Sequence, residues 1–304
     1  MYKYGLLISA TIFIAMTGCN EKQPVITDGM PQTEAETHEQ YIAVDGLRIR
    51  YKIEGENGKP VLVLVHGFTS SLEGWDGLTA ALKDDYQIVR FDLAGHGLTG
   101  PDKQKRYGHT ARVKTVRNLI DKLGYEKPNL IGSSMGGNIA WRYASTYPND
   151  VNKLVLIDAS GFPLNELKDT PLELPPMLKN YFLKPTKFAV NYGLKNQYYD
   201  TKNIPAGRAD KILEMMKYPG NGQAYVDMFK IFTLPDPSND LAKITAPTLI
   251  IWGSDDAVIS STHAELFKAA LPNAEINIIA DTGHVPHEEN PTKTAKVIAS
   301  FLTK

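Results

Sequence analysis

A series of short, unbroken apolar runs restricts the fold more than any other feature of this chain. The clearest is Val61-Leu62-Val63-Leu64-Val65, and similar runs recur at Gln87–Phe91, Asn129–Ile131, Lys153–Ile157, Thr248–Trp252 and Glu275–Ile279. Runs of β-branched residues and leucine without polar alternation suit parallel strands covered on both faces. Between them lie segments of helical period; in His109–Leu123, the residues Val113, Val116, Ile120 and Leu123 fall on one face. Strand–helix–strand alternation predicts an α/β chain with a doubly wound, mostly parallel sheet. Ahead of it, Tyr41–Val44 and Leu47–Ile53 flank Asp45-Gly46, a tight-turn dipeptide, so the domain opens with an antiparallel hairpin. The alternation fails once, from about 161 to 244, where Pro, Tyr, Phe and Leu accumulate. Irregular helices inserted there would cap the C-terminal edge of the sheet.

Composition limits the partners. A 42% hydrophobic fraction over 304 residues fills a sizeable core. Thirty-three basic and 34 acidic residues are interspersed and leave a net charge of -1. No strong field exists to draw nucleic acid, so the expected partner is a small molecule and the expected state a monomer.

The first 40 residues read differently. Lys3 precedes an apolar stretch, Gly5 to Met16, that is shorter than the roughly 20 residues a bilayer-spanning helix needs. Small residues then lead to Cys19, the only cysteine, so no disulfide forms within the chain. This is signal-peptide architecture over residues 1–18. Met16-Thr17-Gly18-Cys19 resembles the lipobox of bacterial lipoproteins, which implies acylation of Cys19 and a lipid anchor in a membrane. Residues 20–40 are polar and aperiodic, with Pro24, Gly29 and Pro31, and read as a flexible tether with a reach of roughly 25 Å. The expected location is outside the cytoplasm: outer membrane or periplasm in a Gram-negative cell, the cell surface otherwise.

Gly132-Ser133-Ser134-Met135-Gly136 matches G-x-S-x-G where the strand Asn129–Ile131 should turn into a helix beginning near Gly137. A nucleophile on so sharp a turn needs neighbours without bulk, which the two glycines supply. The helix N-terminus behind it favours a developing oxyanion. A serine hydroxyl needs a base and an orienting acid, in the chain order Ser, Asp, His. Asp256 follows the strand Thr248–Trp252 and the turn Gly253-Ser254-Asp255; His284 follows the strand ending at Ile279 and the turn Asp281-Thr282-Gly283. All three sit at C-terminal strand ends.

These motifs are similar to those of α/β-hydrolase-fold enzymes of the esterase and lipase type, from about Tyr41 to the C-terminus. His66-Gly67-Phe68, Asp92-Leu93-Ala94-Gly95-His96-Gly97, the serine pentapeptide, Trp252-Gly253-Ser254-Asp255-Asp256 and Gly283-His284 occur in the family's order. The resemblance implies Ser134 as nucleophile, Asp256 as acid, His284 as base, and the backbone N–H groups of Phe68 and Met135 as an oxyanion hole. It implies ester hydrolysis through an acyl-enzyme, with no metal or organic cofactor. Serine at the elbow argues against the family's epoxide hydrolases and haloalkane dehalogenases, which carry aspartate there.

Alternatives stay open at this level. Asp255 competes with Asp256 as the acid, and His287 with His284 as the base. His66, His96 and Asp92 read as loop-shaping residues and His109 as a surface residue. Tyr181, Phe182, Tyr192, Tyr225 and Phe229 read as cap core, with some lining an acyl pocket. Ser134-Met135-Gly136-Gly137 also fits a carbon–carbon bond hydrolase of vinylogous diketo acids, although Val285 replaces the tryptophan usual after that group's histidine. A non-catalytic ligand-binding homologue is the rival of another class.

Overall fold

The computed structural model describes residues 39–165 and 167–304. The signal segment, Cys19 and all but the last two residues of the tether lie outside the described residues. Among the described residues, no helix is long and apolar enough to cross a membrane.

Among the described residues, eight strands form one sheet: β1 (Gln40–Val44), β2 (Leu47–Glu54), β3 (Val61–Val65), β4 (Gln87–Phe91), β5 (Asn129–Ser133), β6 (Leu154–Ile157), β7 (Thr248–Gly253) and β8 (Ala274–Ile279). Their order is β1-β2-β4-β3-β5-β6-β7-β8. The first two strands pair antiparallel with each other, β2 pairs antiparallel with β4, and every later pairing is parallel. Asp45 and Gly46 join β1 to β2 with φ of 50° and 79°. Both central residues are left-handed, as a hairpin turn matching the strand twist requires.

The helices are α1 (Asp76–Leu82), α2 (His109–Lys122), α3 (Met135–Thr146), α4 (Pro176–Leu183), α5 (Lys187–Lys195), α6 (Arg208–Lys217), α7 (Asn221–Phe229), α8 (Ser238–Leu241), α9 (His263–Ala270), α10 (Pro286–Glu289) and α11 (Pro291–Leu302). Period-2 geometry splits the apolar strands between two cores. Leu62 and Leu64 of β3 pack with Leu78 of α1 and Ile298 of α11, whereas Val63 and Val65 belong to the core under α2, α3 and the cap. Continuous runs were therefore needed because both faces are covered. Between β6 and β7 the chain leaves the sheet through α4 to α8 and folds over the ends of β3 and β5.

Candidate active site

Ser134 sits between β5 and α3 with φ 53° and ψ −118°. A side-chain-bearing residue in this sparsely populated region costs on the order of 1–3 kcal/mol, so the surroundings must hold it. They do so from both sides. Its N–H donates to the Ile157 carbonyl at 3.0 Å, while its carbonyl accepts from the Asn138 N–H and the Ser160 N–H, each at 3.1 Å. The turn is tight enough that a Cβ on Gly136 would lie 1.9 Å from the Val65 carbonyl oxygen. Only glycine fits there. The helix starts at Met135, two residues before its expected position, because it begins directly at the strained serine.

His284 and Asp256 meet across the ends of β8 and β7. His284 Nδ1 lies 2.7 Å from Asp256 Oδ2, and both side chains are buried. Asp256 Oδ1 accepts the N–H groups of Val258 (2.7 Å) and Ile259 (3.0 Å), which fix the carboxylate's plane. Burial pushes the Asp256 pKa up, but the His284 ring and these hydrogen bonds hold it below the usual carboxylate range. Asp255 is exposed and accepts from the Ser254 hydroxyl at 2.5 Å, away from the ring. His284 lines the same cavity as Ser134, and no hydrogen bond closes between their side chains. Such contacts commonly tighten only with substrate.

Met135 at the start of α3 and Phe68 on the loop after β3 carry the two N–H groups expected to form the oxyanion hole. Neither has an acceptor among the described residues. His66 secures this loop: its Nδ1 lies 2.8 Å from the Gly67 carbonyl and its Nε2 accepts the Leu93 N–H at 3.0 Å. Burial holds His66 down to about 4, so the ring is neutral. Asp92 stitches the neighbouring loops, accepting the N–H groups of Leu72 and Leu98 at 2.8 Å each and pairing with Arg50. Burial raises it to about 6 against the pull of Arg50. Both residues are structural, as expected.

Two cavities meet at Ser134. The larger, about 140 Å³, also touches His284 and reaches the cap residues Tyr181, Phe182 and Arg208. The smaller, about 80 Å³, touches Met135 and is walled by Leu167, Met228, Phe229 and Phe232. Ser134, Phe68 and Val258 are common to both. Tyr225 instead packs in the core, its ring against Phe68 and His96.

The family model for the alpha/beta hydrolase fold matches residues 60–291. The chain belongs to this family. Relatives of several chemistries share it. Human epoxide hydrolase 4 is 28% identical over 280 residues, covering 84% of this chain and 76% of that protein. The 2-hydroxy-6-oxononadienedioate/2-hydroxy-6-oxononatrienedioate hydrolase of Paraburkholderia phymatum is 28% identical over 293 residues, covering 91% and 99%. Among solved structures, a bacterial membrane phospholipase A described as a virulence factor aligns with a TM-score of 0.74 at 26% identity, covering 87% of this chain and 85% of that one.

For this α/β hydrolase, sequence reasoning missed the groups that brace the site. Glu289 accepts the Gly283 N–H (2.7 Å) and the Tyr199 and Asp200 N–H groups of the cap, locking the His284 loop to it. Glu288 pairs with Arg208 of α6. Their only sequence signal was two adjacent acids soon after Gly-His, which resembles an ordinary helix start. Asp158, at the end of β6, is fully buried and donates no pattern at all. Its Oδ1 accepts the Gly253 N–H at 2.9 Å, and burial together with the charge of Asp256 raises its pKa well above normal. His109 is not a surface residue: half-buried, it lies 3.0 Å from the Thr233 carbonyl and stacks near Phe232, tying α2 to the end of the cap.

Asp158, Asp256 and His284 bring ligand atoms within 4.8 Å of one another, the spacing a cation would need. Most of those atoms are already committed to each other or to N–H donors. The donor set is arranged as a hydrogen-bonded acid–imidazole pair.

Proposed function

We propose that the protein is a serine hydrolase that cleaves carboxylic esters through an acyl-enzyme. The carrying observation is Ser134 held at a strained elbow, facing a cavity shared with the Asp256–His284 pair and beside two unpaired backbone N–H groups. In this reading His284 takes the Ser134 proton, and Oγ attacks the ester carbonyl. The oxyanion is stabilised by the Phe68 and Met135 N–H groups, each such donor being worth about 3 kcal/mol in comparable sites. Collapse expels the alcohol, which receives its proton from His284, and water activated by the same ring then frees the acid. Asp256 keeps the ring oriented. This chemistry calls for no metal or organic cofactor.

Hydrolysis of p-nitrophenyl esters from acetate to palmitate by the wild type and Ser134→Ala tests the reading, with a fluorophosphonate probe to report the nucleophile. Turnover and labelling that vanish together in the variant support it. A folded wild type that neither turns over nor labels sinks it, and moves the protein to a binding role.

The identity to the Paraburkholderia hydrolase favours a second reading, carbon–carbon bond hydrolysis. That relative's substrate name carries carboxylates, whereas the buried Arg208 here is already neutralised by Glu288. The ester reading fits the cavity better. The lipobox-like Met16–Cys19 segment supports export and anchoring on a membrane through Cys19; metabolic labelling with a palmitate analogue, lost in Cys19→Ala, tests this.

A further inference from the structure

The two cavities divide the ester between them, and their linings differ. In the ester-hydrolase reading, on which this inference rests, the leaving oxygen must receive its proton from His284. His284 lines only the larger cavity, so the alcohol portion lies there. The smaller cavity, lined by Ser134 and Met135 without His284, then holds the acyl chain against apolar side chains.

The far wall of the larger cavity is polar and buried. Arg208, the first residue of α6, donates from Nε and Nη2 to Glu288 Oε2 (2.5 Å) and Oε1 (2.8 Å). Its Nη2 also donates to the Ser70 hydroxyl at 3.0 Å, and the Tyr198 hydroxyl donates to Glu288 at 3.1 Å. Arg208 Nη1, though fully buried, has no acceptor among the described residues, and His287 Nδ1 on the same wall has no partner either. Ser70 and Glu288 line the cavity beside the guanidinium, and a hydroxyl and a carboxylate oxygen keep lone pairs that an incoming O–H can meet. The guanidinium charge is cancelled by Glu288, and Glu289 stands next to it, so an incoming carboxylate or phosphate would face net repulsion. A neutral oxygen would not.

We propose that this wall is a hydroxyl-binding subsite, which makes the substrate class esters of a polyhydroxy alcohol, such as glycerol, with an apolar acyl group. Attack by Ser134 Oγ forms the new ester bond, the old bond to the polyol oxygen breaks, and that oxygen takes the proton His284 removed from the serine. The free polyol leaves through the larger cavity. Arg208 and Ser70 are specificity residues on this account, since they touch the leaving group and not the reacting carbonyl.

The test compares kcat/KM for three butyrate esters on the full chain: glycerol 1-monobutyrate, propyl butyrate, which lacks the two hydroxyls, and 3-(butyryloxy)propanoate, which carries a carboxylate. p-Nitrophenyl butyrate is run alongside. The wild type should prefer the glyceryl over the propyl ester by roughly tenfold, the usual discrimination of a site built to hydrogen-bond a hydroxyl being at least that large. The carboxylate ester should be the slowest. The glyceryl-to-propyl ratio should fall towards one in Arg208→Gln/Glu288→Gln, which removes both charges together. Ser70→Ala, a smaller change at the same wall, should lower the ratio partway and serves if the double variant does not fold. A wild type that cleaves p-nitrophenyl butyrate but shows no glyceryl preference overturns the subsite alone. A ratio that is unchanged in both folded variants also overturns it. Failure to cleave any of the four esters overturns the ester-hydrolase reading, and the subsite with it.

Discussion

Asp158 and Asp256 bring two carboxyl groups to one imidazole, each with a ligand atom within 4.8 Å of the other and of the His284 ring. The pair is asymmetric. Asp256 is bonded to the ring and to two backbone N–H groups, and its pKa is held low; Asp158 is buried with one free oxygen, and its pKa is raised well above normal. Two carboxylates this close do not both ionise, so Asp158 is the neutral partner. Asparagine closely mimics a protonated aspartate. Asp158→Asn should therefore keep kcat/KM for p-nitrophenyl butyrate within several-fold of wild type, whereas Asp256→Asn should lose about 10³–10⁴-fold by leaving the ring in the wrong tautomer. A larger loss in Asp158→Asn than in Asp256→Asn would mean the acid has been assigned to the wrong carboxylate.

The elbow should trade stability for function. Ser134 at φ 53° bears strain that glycine does not feel. Ser134→Gly and Ser134→Ala should both abolish turnover, but the glycine variant should be more stable than the alanine variant by about 1 kcal/mol, the strain relieved less the added backbone entropy. Urea unfolding of the two variants measures the difference. An alanine variant as stable as the glycine one would show that the surrounding hydrogen bonds, not the side chain's strain, set the energy of the turn.

The strands were legible because burial on both faces leaves little choice of residue: β3 and β4 run over Val61–Val65 and Gln87–Phe91, as the apolar pattern indicates. The positions of Ser134, Asp256 and His284 were legible because each follows a strand end, where glycine and short polar residues break the pattern. The bracing groups were not. Arg208 lies 80 residues from Glu288, and Asp158 lies 95 from its Gly253 donor, so no local period marks them. His109 failed for the same reason, since the Thr233 carbonyl that engages it is 124 residues away.

Acyl selectivity should follow the smaller cavity. Phe229, at the end of α7, lines it and is only half-buried, so truncating the ring enlarges the space at modest cost to the core. Phe229→Ala should move the optimum of a p-nitrophenyl ester series to longer chains, while a change at Ile212, on the larger cavity, should leave the optimum where it is. A shift produced by Ile212→Ala and not by Phe229→Ala would reverse the assignment of acyl and alcohol sides.

Acid should weaken the fold well above the pH at which surface carboxylates titrate. Burial holds His66, His109 and His287 each down to about 4, and it pushes His96 well below its ordinary value. In the unfolded chain these rings titrate near 6.5. Their folded pKa values are depressed, so the stability they contribute is complete above about pH 6.5 and is lost as pH falls through about 4, because the unfolded chain binds the protons first. His66 shows the physical reason: protonating Nε2 would set an N–H against the Leu93 N–H that it now accepts. A single fully buried ring shifted this far is worth on the order of 2–3 kcal/mol between pH 7 and pH 4. The urea midpoint should therefore drop between pH 7.5 and 5, and again between 5 and 4.5. His109→Asn, which removes the ring nearest the surface, should flatten the slope by about one proton. A midpoint that stays level from pH 7.5 to 5 would mean that these histidines find water or a counter-charge when they protonate.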